Sequence, residues 1–205
     1  MPSGRIDRTN RLTQNRSGAC GSSSADFMHL VRLLFDDSKA YAARFDGNCS
    51  PYTLCAIPAL LSSWRCLVVE YASWWPTDRA TLQILAEAGD FPRMLERLGV
   101  GEPLRTEALL LNEVRNEIIH PAHLSTGTPD NLPDYLRPLK DRGLLQTTGC
   151  SDSDYIFLSQ LCSHSLFAWA ARVTRDLAEC LLCSDSSKWL ALKDFLGNYE
   201  IDVEE

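Results

Sequence analysis

Three side chains that can handle a phosphate group lie close together in the segment LLLNEVRNEIIHPAHL, residues 109–124. Arg115 carries a fixed positive charge, Asn116 carries an amide, and His120 carries an imidazole, the side chain whose charge ordinarily changes near neutral pH. A guanidinium can hold a phosphate through two hydrogen bonds, and an imidazole can act as a general acid or base. These residue types at this spacing therefore favour phosphate chemistry.

An amphipathic helix is predicted to position these side chains. At about 100° per residue, the segment has an apolar arc (Leu110, Leu111, Val114, Ile118) and a polar arc (Asn112, Glu113, Asn116, Glu117, His120). Arg115 falls at the edge of the apolar arc, where its guanidinium must reach solvent, meet a carboxylate or line a cleft. Asn116 and His120 share a face, and Pro121 ends the helix at His120.

The run RNEIIH at residues 115–120 resembles the Arg-x4–6-His motif of HEPN domains (higher eukaryotes and prokaryotes nucleotide-binding), in many of which Asn directly follows the Arg. The resemblance implies an all-helical domain over roughly residues 26–196. It also implies a homodimer in which the motifs of two chains meet in one cleft. The activity it implies is that of a metal-independent endoribonuclease without a cofactor, within a toxin–antitoxin or phage-defence system.

This resemblance makes Arg115, Asn116 and His120 the expected catalytic residues. Cleavage by the 2′-hydroxyl of RNA needs one group to remove the hydroxyl proton and another to protonate the leaving oxygen, and an imidazole suits either task. Arg115 would hold the phosphate and stabilise the charge that builds up at phosphorus. Asn116 would orient His120 or the phosphate. The reaction would leave a 2′,3′-cyclic phosphate and would spare DNA, which lacks the hydroxyl.

The composition predicts one soluble domain whose surface as a whole does not attract nucleic acid. With 205 residues, of which 45% are hydrophobic and 23% charged, the chain can build one substantial core. The formal net charge is −7 and the pI is near 5.1, whereas nonspecific nucleic-acid binding usually needs a basic surface. An RNA site must therefore be a local positive cleft.

The eight cysteines are scattered, several of them within apolar stretches where a free thiol packs as a small apolar side chain. Cys180 and Cys183 have the spacing of two zinc ligands, but no second pair lies at a suitable spacing. No secretory signal opens the sequence. We therefore expect unpaired, metal-free cysteines in a cytoplasmic protein.

Three regions are predicted along the chain. Residues 1–25 hold four arginines, one acid and a closing Gly/Ser run, typical of a disordered basic tail or of a basic arm that supports RNA binding. Residues 26–198 form one helical domain, and residues 199–205 form an acidic tail.

Helical periodicity recurs through residues 26–198, without a βαβ alternation or a Gly-rich phosphate loop. We predict an all-α, HEPN-like bundle of five or more helices. Arg65 and Glu70 make the second helix too polar to span a membrane. Helices are predicted at about residues 26–45, 52–75, 77–88, 91–98, 103–120, 155–182 and 186–196, with a short one ending at Gly143.

Several residues could support the motif. Glu70 lies among apolar neighbours and is the expected partner of Arg115, unless it is simply solvated. Residues 121–136 form a long loop that holds His123, which is either a surface histidine or a second catalytic one. Three basic residues follow as ordinary solvated charges or as contacts to the RNA backbone: Arg137, Lys140 and Arg142.

Two noncatalytic functions fit the same pattern. In one, the chain is a helical dimerisation or partner-binding module, in which Arg115 serves a buried ion pair and His120 caps the helix end. In the other, its acidic surface neutralises a basic partner, as an antitoxin does. Exposure of Arg115 and His120 in one groove would favour catalysis, and burial of both with partners would favour the module.

Overall fold

The computed structural model describes residues 23–45, 48–72, 79–120, 133–146 and 156–183. Within these ranges the chain forms eight α-helices and no β-strand, which confirms the predicted all-α class. A 3-10 turn (Asp134–Leu136) precedes the sixth helix. The helices are α1 (Ser23–Arg44), α2 (Thr53–Ala72), α3 (Arg79–Ala88), α4 (Phe91–Arg97), α5 (Leu104–Ile119), α6 (Arg137–Asp141), α7 (Ile156–Leu161) and α8 (His164–Cys183).

Some predictions concern residues outside the described ranges. They are the first 22 residues of the basic tail predicted at residues 1–25, the part of the predicted loop that holds His123, the final helix at residues 186–196 and the acidic tail at residues 199–205. At the N-terminal boundary of the predicted helical domain, α1 begins at Ser23. The helical region therefore starts three residues before its predicted start at Asp26.

Helix α2 lies at the centre of the core, where it packs against α1, α3, α5 and α8. The side chains of Ile57, Leu60, Trp64 and Leu67 are all 2% exposed or less. Each aliphatic side chain buried in this way contributes about 1.5–3 kcal/mol to folding. The helices that position the candidate site are therefore fixed to one another through α2.

The residues Thr53–Glu70 of α2 have the length and apolar composition of a membrane span, despite Arg65 and Glu70. More than half of this stretch (56%) is buried against the rest of the protein. Because the core helix of a soluble protein has the same composition, the stretch is weak support for a membrane span.

The long helix predicted at residues 155–182 is broken. Helix α7 ends at Leu161, and α8 begins at His164. Between them the chain pairs with the segment before α2, since Ser50 N donates to Cys162 O over 2.9 Å. Ser163 Oγ then accepts a hydrogen bond from Leu166 N, in the manner of a helix N-cap. The apolar stripe continues across the break, so the periodicity alone could not indicate it.

His164 joins α8 to α1 at this break. Its Nδ1 lies 2.8 Å from Ser38 Oγ, which in turn lies 2.6 Å from Ser50 Oγ. Its ring packs against Phe35, with the ring centroids 5.0 Å apart. Burial, followed by the positive charge of Lys39, lowers the pKa of His164 below its ordinary value of 6.5. The fold therefore favours the neutral imidazole.

We expect His164 to make the protein less stable at mildly acidic pH. Folding lowers the pKa of His164 below the value of about 6.5 that it has in the unfolded chain. Its contribution to the free energy of unfolding is therefore complete above about pH 6.5, and it is lost as the pH falls towards the pKa of the folded protein. Urea unfolding of the wild type and His164→Gln at about pH 7.5 and pH 5.5 measures this. The stability difference between the two proteins should shrink or reverse at the lower pH. A difference independent of pH would contradict the prediction.

Candidate functional site

Helix α5 carries the motif, and local chemistry sets both its ends. At its start, the carboxylate of Glu102 accepts hydrogen bonds from Thr106 N (3.2 Å) and Thr106 Oγ1 (2.6 Å). At its end, His120 leaves the helical conformation with φ −128°. Its backbone N–H still donates to Asn116 O over 2.7 Å. The predicted start near Pro103 and end at His120 are both confirmed.

Arg115 and Asn116 line an open cleft between α5, α2 and the turn from α3 to α4. The turn forms at Gly89, whose φ of +70° suits glycine. The cleft has a volume of about 90 Å³, enough for several water molecules. Its other lining residues are Leu61, Ser62, Arg65, Gly89, Phe91 and Asn112.

The cleft is cationic. Arg115 Nη1 donates to Asn116 Oδ1 over 3.1 Å. Burial, followed by the positive charge of Arg65, lowers the pKa of Arg115 from its ordinary value. None of the described residues that line the cleft is acidic. Within the described part of the chain, neither arginine forms an ion pair with a carboxylate.

His120 lies one helical turn beyond Asn116, at the exposed end of α5. It is not one of the described residues that line the cleft. The structure therefore brings together two of the three predicted catalytic residues, Arg115 and Asn116. The third is exposed, but within one chain it does not share their groove.

The expected pairing of Arg115 with Glu70 is not found among the described contacts. The Glu70 carboxylate instead accepts hydrogen bonds from Ser24 N (3.3 Å) and Ser24 Oγ (2.6 Å), so it stabilises the first turn of α1. Residues 65 and 70 are separated by about 140° around α2. Arg65 therefore faces α3 and α5, whereas Glu70 faces α1.

Glu117 was expected on the polar arc of the motif helix, but its side chain is only 8% exposed. It lies beside Tyr135 from the 3-10 turn. Burial of the phenol, followed by its interaction with Glu117, holds the pKa of Tyr135 well above its ordinary value. This face of α5 therefore packs against the turn and is separate from the cleft.

None of the three basic residues proposed as RNA-backbone contacts lines the cleft. Arg142 forms two hydrogen bonds with Glu107 of α5, of 2.7 and 2.8 Å. Arg137 pairs with Asp134 over 3.0 Å, and Lys140 is exposed on α6. At least Arg142 therefore has a structural role.

Sequence reasoning missed two residues of the cleft. From the sequence, Arg65 counts only as one of two charges that make the second helix too polar to span a membrane, although a charged residue inside a largely apolar helix is a signal for a polar cavity. Asn112 lies one turn before Asn116 on α5, and it was placed on the polar arc without a role. The positions of Arg65 and Asn112 in the cleft follow from the packing of α2 against α5, which the sequence pattern does not specify.

Comparison with protein-family models, with curated proteins and with solved structures finds no match for this chain.

Proposed function

We propose that the chain is a metal-independent endoribonuclease of the HEPN type, acting in a toxin–antitoxin or phage-defence system. The observation that supports this most is the cleft, in which Arg115 and Asn116 of the Arg-x4-His motif lie with a second arginine, and in which no described lining residue carries a carboxylate. This is the local positive site that an RNA-binding protein with a net charge of −7 needs.

In the proposed reaction, Arg115 binds the scissile phosphate and stabilises the charge that develops on its oxygens. Asn116 holds the guanidinium through its Oδ1. One proton must leave the attacking 2′-hydroxyl and one must reach the leaving 5′-oxygen. His120 carries out one of these transfers, and in a homodimer the partner's His120 carries out the other. The attacking oxygen forms a bond to phosphorus as the 5′-oxygen leaves, so the products are a 2′,3′-cyclic phosphate and a 5′-hydroxyl.

We further propose that the active form is a homodimer whose interface includes the His120 end of α5. Within one chain, His120 does not line the described cleft. A two-fold interface would bring both motifs together and would place two histidines near two clefts. Ile119, which is 39% exposed beside His120, offers an apolar contact at this end.

We expect the purified protein to cut RNA at the same rate with and without EDTA. The motif supplies proton transfer and charge stabilisation, which are the two requirements of 2′-hydroxyl attack. The assay incubates the protein with a mixed RNA panel and with DNA of the same sequences. It then identifies the new ends by enzymatic removal of a cyclic phosphate. No cleavage across the panel would contradict the proposal.

A second function is supported by the surface of α1. Three large apolar side chains are exposed there: Phe27 (37%), Leu30 (46%) and Leu33 (52%). Exposed apolar patches often mark interaction sites. A noncatalytic module that dimerises or holds a partner enzyme, or an antitoxin that binds a basic toxin, would use this surface together with the negative charge of the chain. Such a protein would not cut RNA.

A further inference from the structure

Arg65 is a partly buried cation on the largely apolar helix α2. One turn before it on the same face of α2, the side chain of Leu61 is 2% exposed. The guanidinium of Arg65 is held in place because Nη2 donates to the carbonyl oxygen of Ala86, near the end of α3. A cation at a helix C-terminus is favourable. However, a guanidinium has five N–H donors, so this single contact leaves donors for the cleft.

Arg65 and Arg115 face the same small cavity. The positive charge of Arg65 disfavours the charge of Arg115, and this repulsion, after the larger effect of burial, lowers the pKa of Arg115. An anion bound between the two guanidinium groups would replace the repulsion with two attractions. Hydrogen bonds from guanidinium to phosphate are among the strongest in proteins.

The volume of the cavity and the hydrogen-bond donors that line it indicate which kind of ligand it can bind. Its volume of about 90 Å³ is well below the roughly 300–1,000 Å³ of pockets that enclose a whole small molecule. Asn112 and Asn116 add amide donors and Ser62 adds a hydroxyl. A compact oxyanion therefore fits better than a nucleoside, and because the cleft is only partly enclosed, a phosphate in it remains open to solvent.

We propose that Arg65 is a second phosphate-binding residue, and that it holds one backbone phosphodiester of RNA together with Arg115. The assignment to RNA rests on the proposed function, whereas the binding of phosphate does not. Arg65 is held by the end of α3, so it is oriented before the ligand arrives. Such preorganisation places the phosphate without further ordering of the side chain.

Titration with inorganic phosphate in a phosphate-free buffer, followed by protein NMR and calorimetry, tests the site. We expect saturable binding, with backbone amide shifts concentrated at Ser62, Gly89, Asn112 and Asn116. Arg65→Met and Arg115→Met should each weaken binding by about tenfold or more. Arg79→Met, an exposed arginine at the start of α3, should bind as the wild type does. No saturable binding, or shifts elsewhere, would overturn the proposal.

If Arg65→Met fails to fold, Arg65→Lys takes its place in the experiment, because it keeps a positive charge near the end of α3. Because lysine lacks the planar fork, we expect this variant to bind phosphate more weakly than the wild type while retaining its helicity. Unchanged binding in a folded Arg65→Lys variant would overturn the role of the guanidinium fork.

A 2′-O-methyl RNA oligonucleotide, which cannot supply the attacking hydroxyl, distinguishes the two proposals. Displacement of bound phosphate by this oligonucleotide supports the RNA assignment. If phosphate binds but the oligonucleotide does not displace it, the RNA assignment is overturned and the phosphate site stands. If the protein cuts RNA and Arg65→Met leaves KM and kcat unchanged, the role of Arg65 is overturned and the ribonuclease proposal stands.

Discussion

His120→Ala is expected to abolish RNA cleavage and to leave the fold almost unchanged. The side chain is exposed at the end of α5, and the hydrogen bond from its backbone N–H to Asn116 O survives the substitution. The loss of stability should therefore stay below about 1 kcal/mol. Cleavage rates and urea unfolding of the same preparations measure the two effects. His29→Ala, which removes an exposed histidine of α1, is the matched control and should cut at the wild-type rate.

Arg115→Ala should also abolish cleavage, but its effect on stability differs from what the sequence suggested. A pair with Glu70 would have made this change cost about 3 kcal/mol or more, by stranding a carboxylate. Since Glu70 binds Ser24 and Arg115 faces Arg65, we expect a cost of about 1 kcal/mol or less. The effects of Arg115→Ala and Glu70→Ala on unfolding should be additive. A strong coupling between the two substitutions would instead indicate that Arg115 and Glu70 form the ion pair expected from the sequence.

Two outcomes would decide against catalysis by the motif residues. If His120→Ala and Arg115→Ala both cut RNA at the wild-type rate, the motif is not the active site. Sedimentation of the wild type and both variants tests the dimer separately. A wild-type protein that is a dimer but cuts no RNA in the panel would support the noncatalytic module. A monomer that cuts RNA would contradict the proposed homodimeric active site but not the ribonuclease activity.

Local sequence signals predicted the ends of α5 and the turn before α4. Glu102 and Pro103 start the motif helix, and Pro121 follows the residue that ends it. Gly89 and Asp90 form the turn between the helices predicted at residues 77–88 and 91–98, and Asp90 Oδ1 accepts a hydrogen bond from Arg93 N there. These features depend on a few neighbouring residues, so they could be derived before any packing was known.

The interaction partners of the charged residues could not be predicted from local sequence signals in the same way. The charge of Glu70 made it the natural partner of Arg115, but helix geometry turns it towards α1. Glu117 lies on the polar arc of an isolated helix, yet the 3-10 turn buries it beside Tyr135. Each outcome depends on which helix packs against which face, and periodicity does not contain that information.

Glu107 is expected to be the most sensitive charged residue for stability, because it joins three parts of the fold. Its carboxylate on α5 accepts hydrogen bonds from both terminal nitrogens of Arg142 and, over 2.7 Å, from Nε1 of Trp169 on α8. The hydrogen bond from Arg142 is the main cause of the lowered pKa of Glu107, against an opposing effect of burial. The ionised carboxylate is therefore favoured in the folded protein.

We expect Glu107→Ala to lower the free energy of unfolding by about 2–3 kcal/mol, because it leaves the indole N–H of Trp169 buried without its acceptor. Arg142 contributes less to this loss, since its side chain is 43% exposed and can turn to solvent. Urea unfolding measures the change, with Glu113→Ala, an exposed acid on the same helix, as a control that should stay within about 0.5 kcal/mol. In a double-mutant cycle with Trp169→Phe, which removes the buried donor, the cost of Glu107→Ala should fall. An unchanged cost in the Trp169→Phe background would show that the hydrogen bond to the indole does not carry the stability of this junction.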